Sequence, residues 1–161
     1  MRKAPSRNSR TDPSLGAAVE FLRLLWAVDH GLQSSSKRMA RSLGVTGPQR
    51  LVIRIAGRIP GISPGELAEI LHVHPSTLTG VLTRLVEHGL LARRGDTRDR
   101  RRMILTLTEK GKAINRSSAG TVEAGVRRML ASMPAPDVEA AGRVLRRLAA
   151  DLTEQSLSWT K

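Results

Sequence analysis

The chain has 161 residues, 40% of them hydrophobic, which is enough for one folded domain with a sizeable core. Its 27 basic and 14 acidic residues give a formal net charge of +13, which favours a polyanionic partner such as nucleic acid or an anionic membrane. The absence of cysteine excludes disulfides, cysteine-type zinc sites and thiol-based redox sensing.

Aromatic residues are scarce, with two Trp, one Phe and no Tyr. Readers of single-stranded nucleic acid stack bases on such rings, whereas duplex DNA is read through phosphates and groove edges. No run approaches the roughly 18 apolar residues of a membrane span, and no apolar signal core follows the basic N-terminus. We therefore expect a cytoplasmic protein that binds duplex DNA and no membrane. Residues 1–13 are expected to form a flexible basic arm, either solvated or in contact with the DNA backbone.

The first predicted element is a long helix over residues 15–43, where apolar positions keep helical spacing and Gly44 follows as a C-cap. Thr46 precedes a second helix with Pro48 in its first turn, and the stretch "IPGIS" then breaks the chain. A short third helix begins at Ser63, which forms a capping box with Glu66 three residues later.

A fourth helix is predicted from Pro75 until Gly89 closes it. One face carries a buried stripe made of Leu78, Val81, Leu82, Leu85 and Val86. The candidate DNA-contacting residues on the other face are Ser76, Thr77, Thr79, Gly80, Thr83 and Arg84. Two short helices around the tight link "HVH", the second with small polar residues near its start, predict a helix-turn-helix.

Two strands, "LLARRG" and "RRMILTLT", are predicted to pair around the turn "DTRDR". Thr108 is expected to cap a long helix to about Met133, and "PAPD" interrupts the chain before a last helix. That helix has a heptad seam of Val138, Ala141, Leu145, Leu148 and Leu152. The fold class is thus mainly α with a small β-hairpin wing. A single domain at 14–161 would contain a winged helix-turn-helix module at 46–108 and dimerisation helices at 14–45 and 109–161.

The stretches "ELAEILHVHPSTLTGVLTRLVEHGLLAR" and "DTRDRRRMILTLTEKG", at this distance from each other, resemble the MarR family of bacterial winged-helix repressors. The resemblance runs from about Leu15 to the end. It implies that the second helix of the motif enters the major groove and that a wing arginine enters the adjacent minor groove, where negative potential is concentrated. By the family pattern Arg101 is that arginine and Asp99 holds its guanidinium. The other wing arginines would be phosphate contacts or solvated: Arg93, Arg94, Arg98, Arg100 and Arg102.

Three positions on the fourth helix have a second interpretation each. Ser76 could bond phosphate or simply cap the helix. Arg84 could reach a guanine edge or pair with Glu87 or Glu66. Gly80 weakens a helix unless something approaches closely, either the DNA backbone or the preceding helix.

The resemblance also implies a homodimer joined by the N- and C-terminal helices, and we expect Leu15, Val19 and Leu22 to join the heptad seam in that contact. It implies release from DNA by a phenolic or aromatic acid, a metal or an oxidant, although cysteine oxidation is excluded. His72 and His74 fall in the DNA-binding turn, so neither a metal site nor a cofactor is expected. Trp26 and His30 could line an effector pocket, but core packing is the commoner place for a Trp.

The sequence therefore predicts a sequence-specific regulator, a ligand-responsive repressor that binds a pseudo-palindromic operator as a dimer. A non-specific architectural DNA-binding protein is the alternative, although the basic residues concentrate in the wing and recognition helix. No phosphate-binding glycine loop, metal triad or Ser/His/Asp set is recognisable, so an enzyme is not expected.

Overall fold

The computed structural model describes residues 16–96, 99 and 101–158, and their side chains as far as Leu152. Within these ranges the chain forms seven helices and one antiparallel hairpin: α1 Gly16–Leu43, α2 Gly47–Arg58, α3 Pro64–Leu71, α4 Pro75–Glu87, β1 Leu91–Gly95, β2 Met103–Leu107, α5 Glu109–Arg116, α6 Val122–Ala131 and α7 Ala135–Ser158. The predicted fold class, mainly helical with a small hairpin wing, is confirmed. The predicted arm at 1–13, Leu15, Arg98 and Arg100 lie outside the described residues.

The core lies between α2, α3, α4 and the hairpin. Local signals begin two of these helices: Thr46 and Gln49 form a capping box at α2, and Ser63 and Glu66 form another at α3. Their apolar faces then meet in a cluster that includes Val52, Ile53, Leu67, Leu78, Leu82, Leu85 and Leu105. The small polar residues of α4 are left on the outside because the stripe from Leu78 to Leu85 faces this cluster. Val86, predicted as part of the buried stripe, is instead 37% exposed.

The hairpin is held at its base by a segment that the sequence predicts only as a break. Leu91 pairs with Leu107 and Gly95 with Met103, which sets the register of β1 and β2. The link after α2 also bonds β2, because Gly61 N donates to Leu105 O (3.3 Å) and Leu105 N donates to Ile62 O (2.9 Å). Leu105 is fully buried, but Met103 at the outer end of β2 lies beyond the core and is exposed.

The single helix predicted from Thr108 to about Met133 is wrong. Helix α5 ends at Arg116 with Ser117 in an extended conformation, and α6 begins after Thr121, whose hydroxyl accepts from Ala124 N at 3.3 Å. Gly120 between them has φ +71°. Small hydroxyl residues compete for backbone hydrogen bonds and glycine adopts positive φ freely, so "SSAGT" stops one helix and starts the next. Helix α7 begins inside "PAPD", since Pro136 lies in a first turn, where its missing amide is harmless.

Candidate nucleic-acid interface

Helices α3 and α4 are joined by a tight turn that aims α4 outward. His72 ends α3 in the left-handed conformation (φ 51°, ψ 44°), and Val73 N bonds Ala68 O at 3.1 Å. His74 then caps α4, because its ring nitrogen Nδ1 accepts from Ser76 N at 3.3 Å. The residue considered as a cap from the sequence, Ser76, is therefore inside the helix. Its hydroxyl lies 2.7 Å from the same His74 nitrogen.

The predicted recognition residues share one solvent-facing side of α4: Ser76, Thr77, Thr79, Gly80, Thr83 and Arg84 are all exposed. The Thr79 hydroxyl donates to Pro75 O at 3.0 Å, a bond that leaves its methyl group and oxygen at the surface. Arg84 forms no ion pair within 4 Å with Glu66, Glu87 or any other carboxylate in the described part of the chain. Its guanidinium is thus not paired with a carboxylate of the described residues.

Gly80 has open space around it. A Cβ built at this position would meet no atom within 4 Å apart from its chain neighbours and its own helix. Close packing against α3, one of the two explanations considered for this glycine, is therefore wrong. Approach of a ligand backbone is the explanation that remains.

Asp99 makes two of the hydrogen bonds that continue the hairpin beyond the ends of β1 and β2. Arg102 N donates to Asp99 O (2.9 Å), and Asp96 N donates to Arg102 O (2.8 Å), which extends the hairpin past β1. The Asp99 carboxylate accepts from the backbone amide of Arg101 at 2.9 Å. The family pattern places Asp99 on the Arg101 guanidinium, whereas here it fixes the Arg101 backbone and leaves the exposed side chain unpaired among the described residues.

The remaining wing arginines differ from one another. Arg93 and Arg94 are exposed on β1. Arg102, expected to contact phosphate or be solvated, instead places Nη2 at 2.6 Å from both carboxylate oxygens of Glu66 on α3. The pKa of Glu66 lies below its ordinary value because the carboxylate accepts from the Ser63 amide and hydroxyl and then from Arg102.

A buried arginine that the sequence did not indicate ties the winged-helix core to the helices that follow. Arg50 on α2 is 2% exposed, and its Nε donates to Glu123 on α6 at 2.6 Å. Its terminal nitrogens donate to the carbonyls of Ile114, Asn115 and Ser117, where α5 ends. A cation is favoured at a helix C-terminus, where carbonyls lack partners. The basic residue in an apolar helix was the only sequence signal for this contact.

Burial raises the pKa of Glu123, but the hydrogen bond from Arg50, the backbone at Glu123 itself and the charges of Arg50 and Arg54 outweigh it, and the pKa is lowered. Arg54 reinforces the same junction through Asn115, whose carbonyl and side-chain oxygens lie 2.9 and 3.0 Å from its Nη1. The junction between α5 and α6 is therefore attached to α2 by charged hydrogen bonds as well as by the packing of Ile114 against the core.

The predicted dimerisation residues lie mostly at the surface of the single chain. Val19, Leu22, Leu145 and Leu152 are 52%, 62%, 52% and 56% exposed, Ala141 is exposed, and Val138 and Leu148 are half-buried. The α7 seam therefore does not pack as a whole against other described parts of the same chain. Trp26 is 78% exposed, so the expectation that it packs in the core is wrong.

A cleft of about 470 Å³ lies between α1 and the start of α6, lined by Val28, Leu32, Arg38, Thr121, Val126 and Arg128 among others. Trp26 and His30 do not line it. In the described ranges no three His, Asp or Glu side chains form a group suited to a metal ion. None of the described helices is both long and apolar enough to cross a membrane.

The MarR family model matches residues 45–103, which include α2 to α4 and β1 and end at the first residue of β2. The HTH-type transcriptional repressor Rv2887 of Mycobacterium tuberculosis strain H37Rv is 31% identical over 128 residues, 80% of this chain and 92% of the relative. The Staphylococcus aureus MepR–DNA complex has a similar fold, with a TM-score of 0.67 at 16% identity over 82% of this chain and 97% of that one. CouR from Rhodococcus jostii, bound to p-coumaroyl-CoA, also has a similar fold. Its TM-score is 0.69 at 22% identity, and the match covers 82% of this chain and 93% of CouR.

The fold, the exposed second helix of the motif and the arginine wing agree with these matches, and the repressor Rv2887 is similar over most of its own length. The chain therefore belongs to the MarR family of DNA-binding transcription regulators.

Proposed function

We propose that the protein is a homodimeric repressor that binds a pseudo-palindromic operator and leaves it when a small acid binds. One observation carries this proposal: the polar side of α4 is exposed and largely uncommitted, and it lies in the same module as a wing with a basic tip. The module would be residues 46–108, and residues 14–45 and 109–161 would join two chains. Acting on the chromosome places the protein in the bacterial cytoplasm.

In this proposal α4 enters the major groove with its N-terminal residues toward the DNA. Ser76 and Thr77 lie in the first turn, where backbone amides and hydroxyls suit phosphate oxygens. Arg84 lies about two turns after Ser76. Its guanidinium has no ion pair among the described residues and could make a bidentate contact with guanine O6 and N7. Gly80 would let the helix approach the DNA closely, since no described residue outside its own helix occupies the space beside it.

The wing would place Arg101 in the adjacent minor groove. Its backbone is fixed by Asp99 while its side chain remains exposed, so the anchor is ordered and the charged end is available. A narrow A/T-rich groove attracts arginine because negative potential is concentrated there. We propose phosphate contacts for Arg93 and Arg94, which are exposed on β1, and also for Arg98 and Arg100.

Dimerisation is supported by the apolar side chains of the terminal helices. Large exposed apolar patches on a soluble protein mark interaction surfaces, and the exposed Val19, Leu22, Leu145 and Leu152 lie on the two terminal helices, α1 and α7. Two winged-helix modules in a twofold dimer would read two half-sites about one helical turn apart, which multiplies the weak affinity of one module.

Effector binding is supported by the cleft between α1 and α6. Apolar residues such as Val28, Leu32 and Val126 line it together with Arg38 and Arg128. An aromatic ring can pack on the apolar side chains, and a carboxylate can pair with the two arginines. A phenolic or aromatic acid therefore fits the chemistry of the cleft. CouR, which shares the fold, holds p-coumaroyl-CoA, the coenzyme A thioester of a phenolic acid.

The test is a DNase footprint on the DNA that flanks the protein's own gene, at near-physiological salt with competitor DNA. A discrete protected site of about 20 base pairs with inverted half-sites is expected, because two modules spaced by one turn cover that length. Protection spread along the fragment, or abolished by competitor, would instead establish the architectural alternative.

A further inference from the structure

The contact between Arg102 and Glu66 joins two parts of the DNA-binding module that are 36 residues apart in sequence. Glu66 lies in the first turn of α3, and Arg102 lies in the wing, directly before β2. Arg102 does not belong to the pair that the family pattern assigns to the wing tip, Asp99 and Arg101. Its role is therefore open.

The carboxylate of Glu66 is held by the capping box of α3 independently of Arg102. Glu66 Oε2 accepts from Ser63 N at 2.8 Å and from the Ser63 hydroxyl at 3.0 Å, as part of the capping box of α3. Since this carboxylate has lost its rotamer freedom to the cap, pairing with it orders only one further side chain. An exposed ion pair formed in this way is better defined in position than one between two free side chains.

The ion pair adds a second attachment to a strand that is already fixed at one point. Leu105 exchanges backbone bonds with Gly61 and Ile62, next to the core. Arg102 lies three residues nearer the tip, about 10 Å along an extended chain. The wing strand is thus joined to the α3 side of the module both near the core and near the tip.

We infer that Arg102 is a positioning residue, which uses Glu66 to fix the wing against α3 so that the neighbouring Arg101 points toward the minor groove. This inference rests on the proposed operator contact through the wing. Arg102 then contributes to DNA binding through geometry and not through contact with phosphate. The Glu66 carboxylate, although negative and near DNA, favours binding.

Two measurements separate this role from an ordinary phosphate contact. A cation that binds phosphate releases counterions, so its loss lowers the slope of log K against log salt by about one for each contact. A cation paired with Glu66 releases none on DNA binding, and its loss leaves the slope unchanged. For Glu66, long-range electrostatics alone predict that neutralisation tightens DNA binding, whereas positioning predicts that it weakens binding.

The experiment uses the full chain and a duplex carrying the site that the wild-type protein selects from random-sequence DNA, with Kd measured by fluorescence anisotropy at several salt concentrations. The variants are Arg102→Gln, Glu66→Gln and the two combined. Glutamine also serves at the third position of a capping box, so Glu66→Gln keeps the helix start. Glu69→Gln is the matched control. Glu69 lies on α3 like Glu66, and both line the shallow surface groove next to Arg102, but Glu69 forms no ion pair with Arg102.

Arg102→Gln and Glu66→Gln are each expected to weaken binding about two- to fivefold per wing, with the double variant no worse than either and the salt slope unchanged. Glu69→Gln should not weaken binding. Unchanged or tighter binding by Glu66→Gln, or a salt slope lowered by about one in Arg102→Gln, would overturn the inference. If the wild-type chain selects no site at all, the proposed function fails first and the inference with it.

Discussion

The contact most open to a quantitative test is the buried guanidinium of Arg50. Replacing it with methionine, Arg50→Met, keeps an unbranched side chain of similar length but removes every donor. Glu123 then loses its principal hydrogen-bond donor, and the carbonyls of Ile114 and Ser117 lose theirs. Ile114 O would keep the Ser117 amide as its remaining donor, but Ser117 O would lose the Arg50 donor, and Glu123 would keep only its backbone bond and Arg54, whose Nε is 3.8 Å away.

The magnitude follows from the burial of the two partners. Removing one member of a buried ion pair costs about 3–5 kcal/mol. The Arg50 side chain is 3% exposed, but that of Glu123 is 28% exposed and regains water when the arginine is lost. We therefore expect a loss of about 3 kcal/mol, at the lower end of that range. For a chain of 161 residues this lowers Tm by about 6–12 °C.

The assay is thermal unfolding followed by circular dichroism at one fixed protein concentration, since the Tm of a dimer depends on concentration. Arg54→Met is the matched control. Arg54 lies one helical turn away, is 32% exposed, and its Nε is 3.8 Å from Glu123. Its loss should cost less than about 1 kcal/mol, as for other exposed pairs. A Tm for Arg50→Met within about 2 °C of the wild type, or an equal loss in Arg54→Met, would refute the assignment of Arg50 as the main attachment.

Four further outcomes are expected. Leu22→Glu combined with Leu145→Glu should convert the dimer to a monomer in light scattering, because both side chains are more than half exposed in the single chain and belong to the proposed contact. Arg101→Ala should weaken operator binding by about 1–3 kcal/mol without changing Tm. Gly80→Ala should raise stability by about 0.5–1 kcal/mol, since alanine is the better helix former and has room, yet weaken operator binding through the added methyl. Stability should fall as the pH drops below about 4.5, the ordinary glutamate value, because the lowered pKa of Glu123 makes the folded state favour the ionised form; Glu123→Gln should flatten this pH dependence.

Each of these outcomes has a contrary result that would be informative. A dimeric double glutamate variant would place the dimer contact elsewhere, and the matched control is Ile70→Glu, a similarly exposed apolar residue on α3. Unchanged operator affinity in Arg101→Ala would remove the wing from the account. Tighter operator binding by Gly80→Ala would mean that this face does not approach DNA. For Glu123, a wild-type pH profile identical to that of the glutamine variant would assign the acid sensitivity to other carboxylates.

Much of the fold could be predicted from local pattern. The capping boxes at Thr46 and Ser63 and the stripe from Leu78 to Leu85 depend on residues within one or two turns of each other. Such signals act before any tertiary contact forms, because they satisfy the unpaired amides of a helix start or set which face is apolar. The same locality placed the exposed candidates on α4, from Ser76 to Arg84.

Pattern alone failed where two nearby signals compete or where a residue's partner is far away. The helix predicted through "SSAGT" ignored the hydroxyl caps and Gly120. Trp26 was expected in the core, but the buried residue of α1 is Met39, more than three turns further along the helix, and Trp26 itself is 78% exposed.

The sequence by itself determined the starts of α2 and α3, the exposed polar face of α4 and the basic composition of the wing, because these follow from neighbours along the chain. Only the tertiary structure decided that Arg50 is buried against a carboxylate 73 residues away and that Arg102 pairs with Glu66 across 36 residues. An arginine carries the same charge whether it faces DNA, solvent or a buried glutamate. Its role depends on which groups the folded backbone brings within about 3 Å, a distance that no local periodicity specifies.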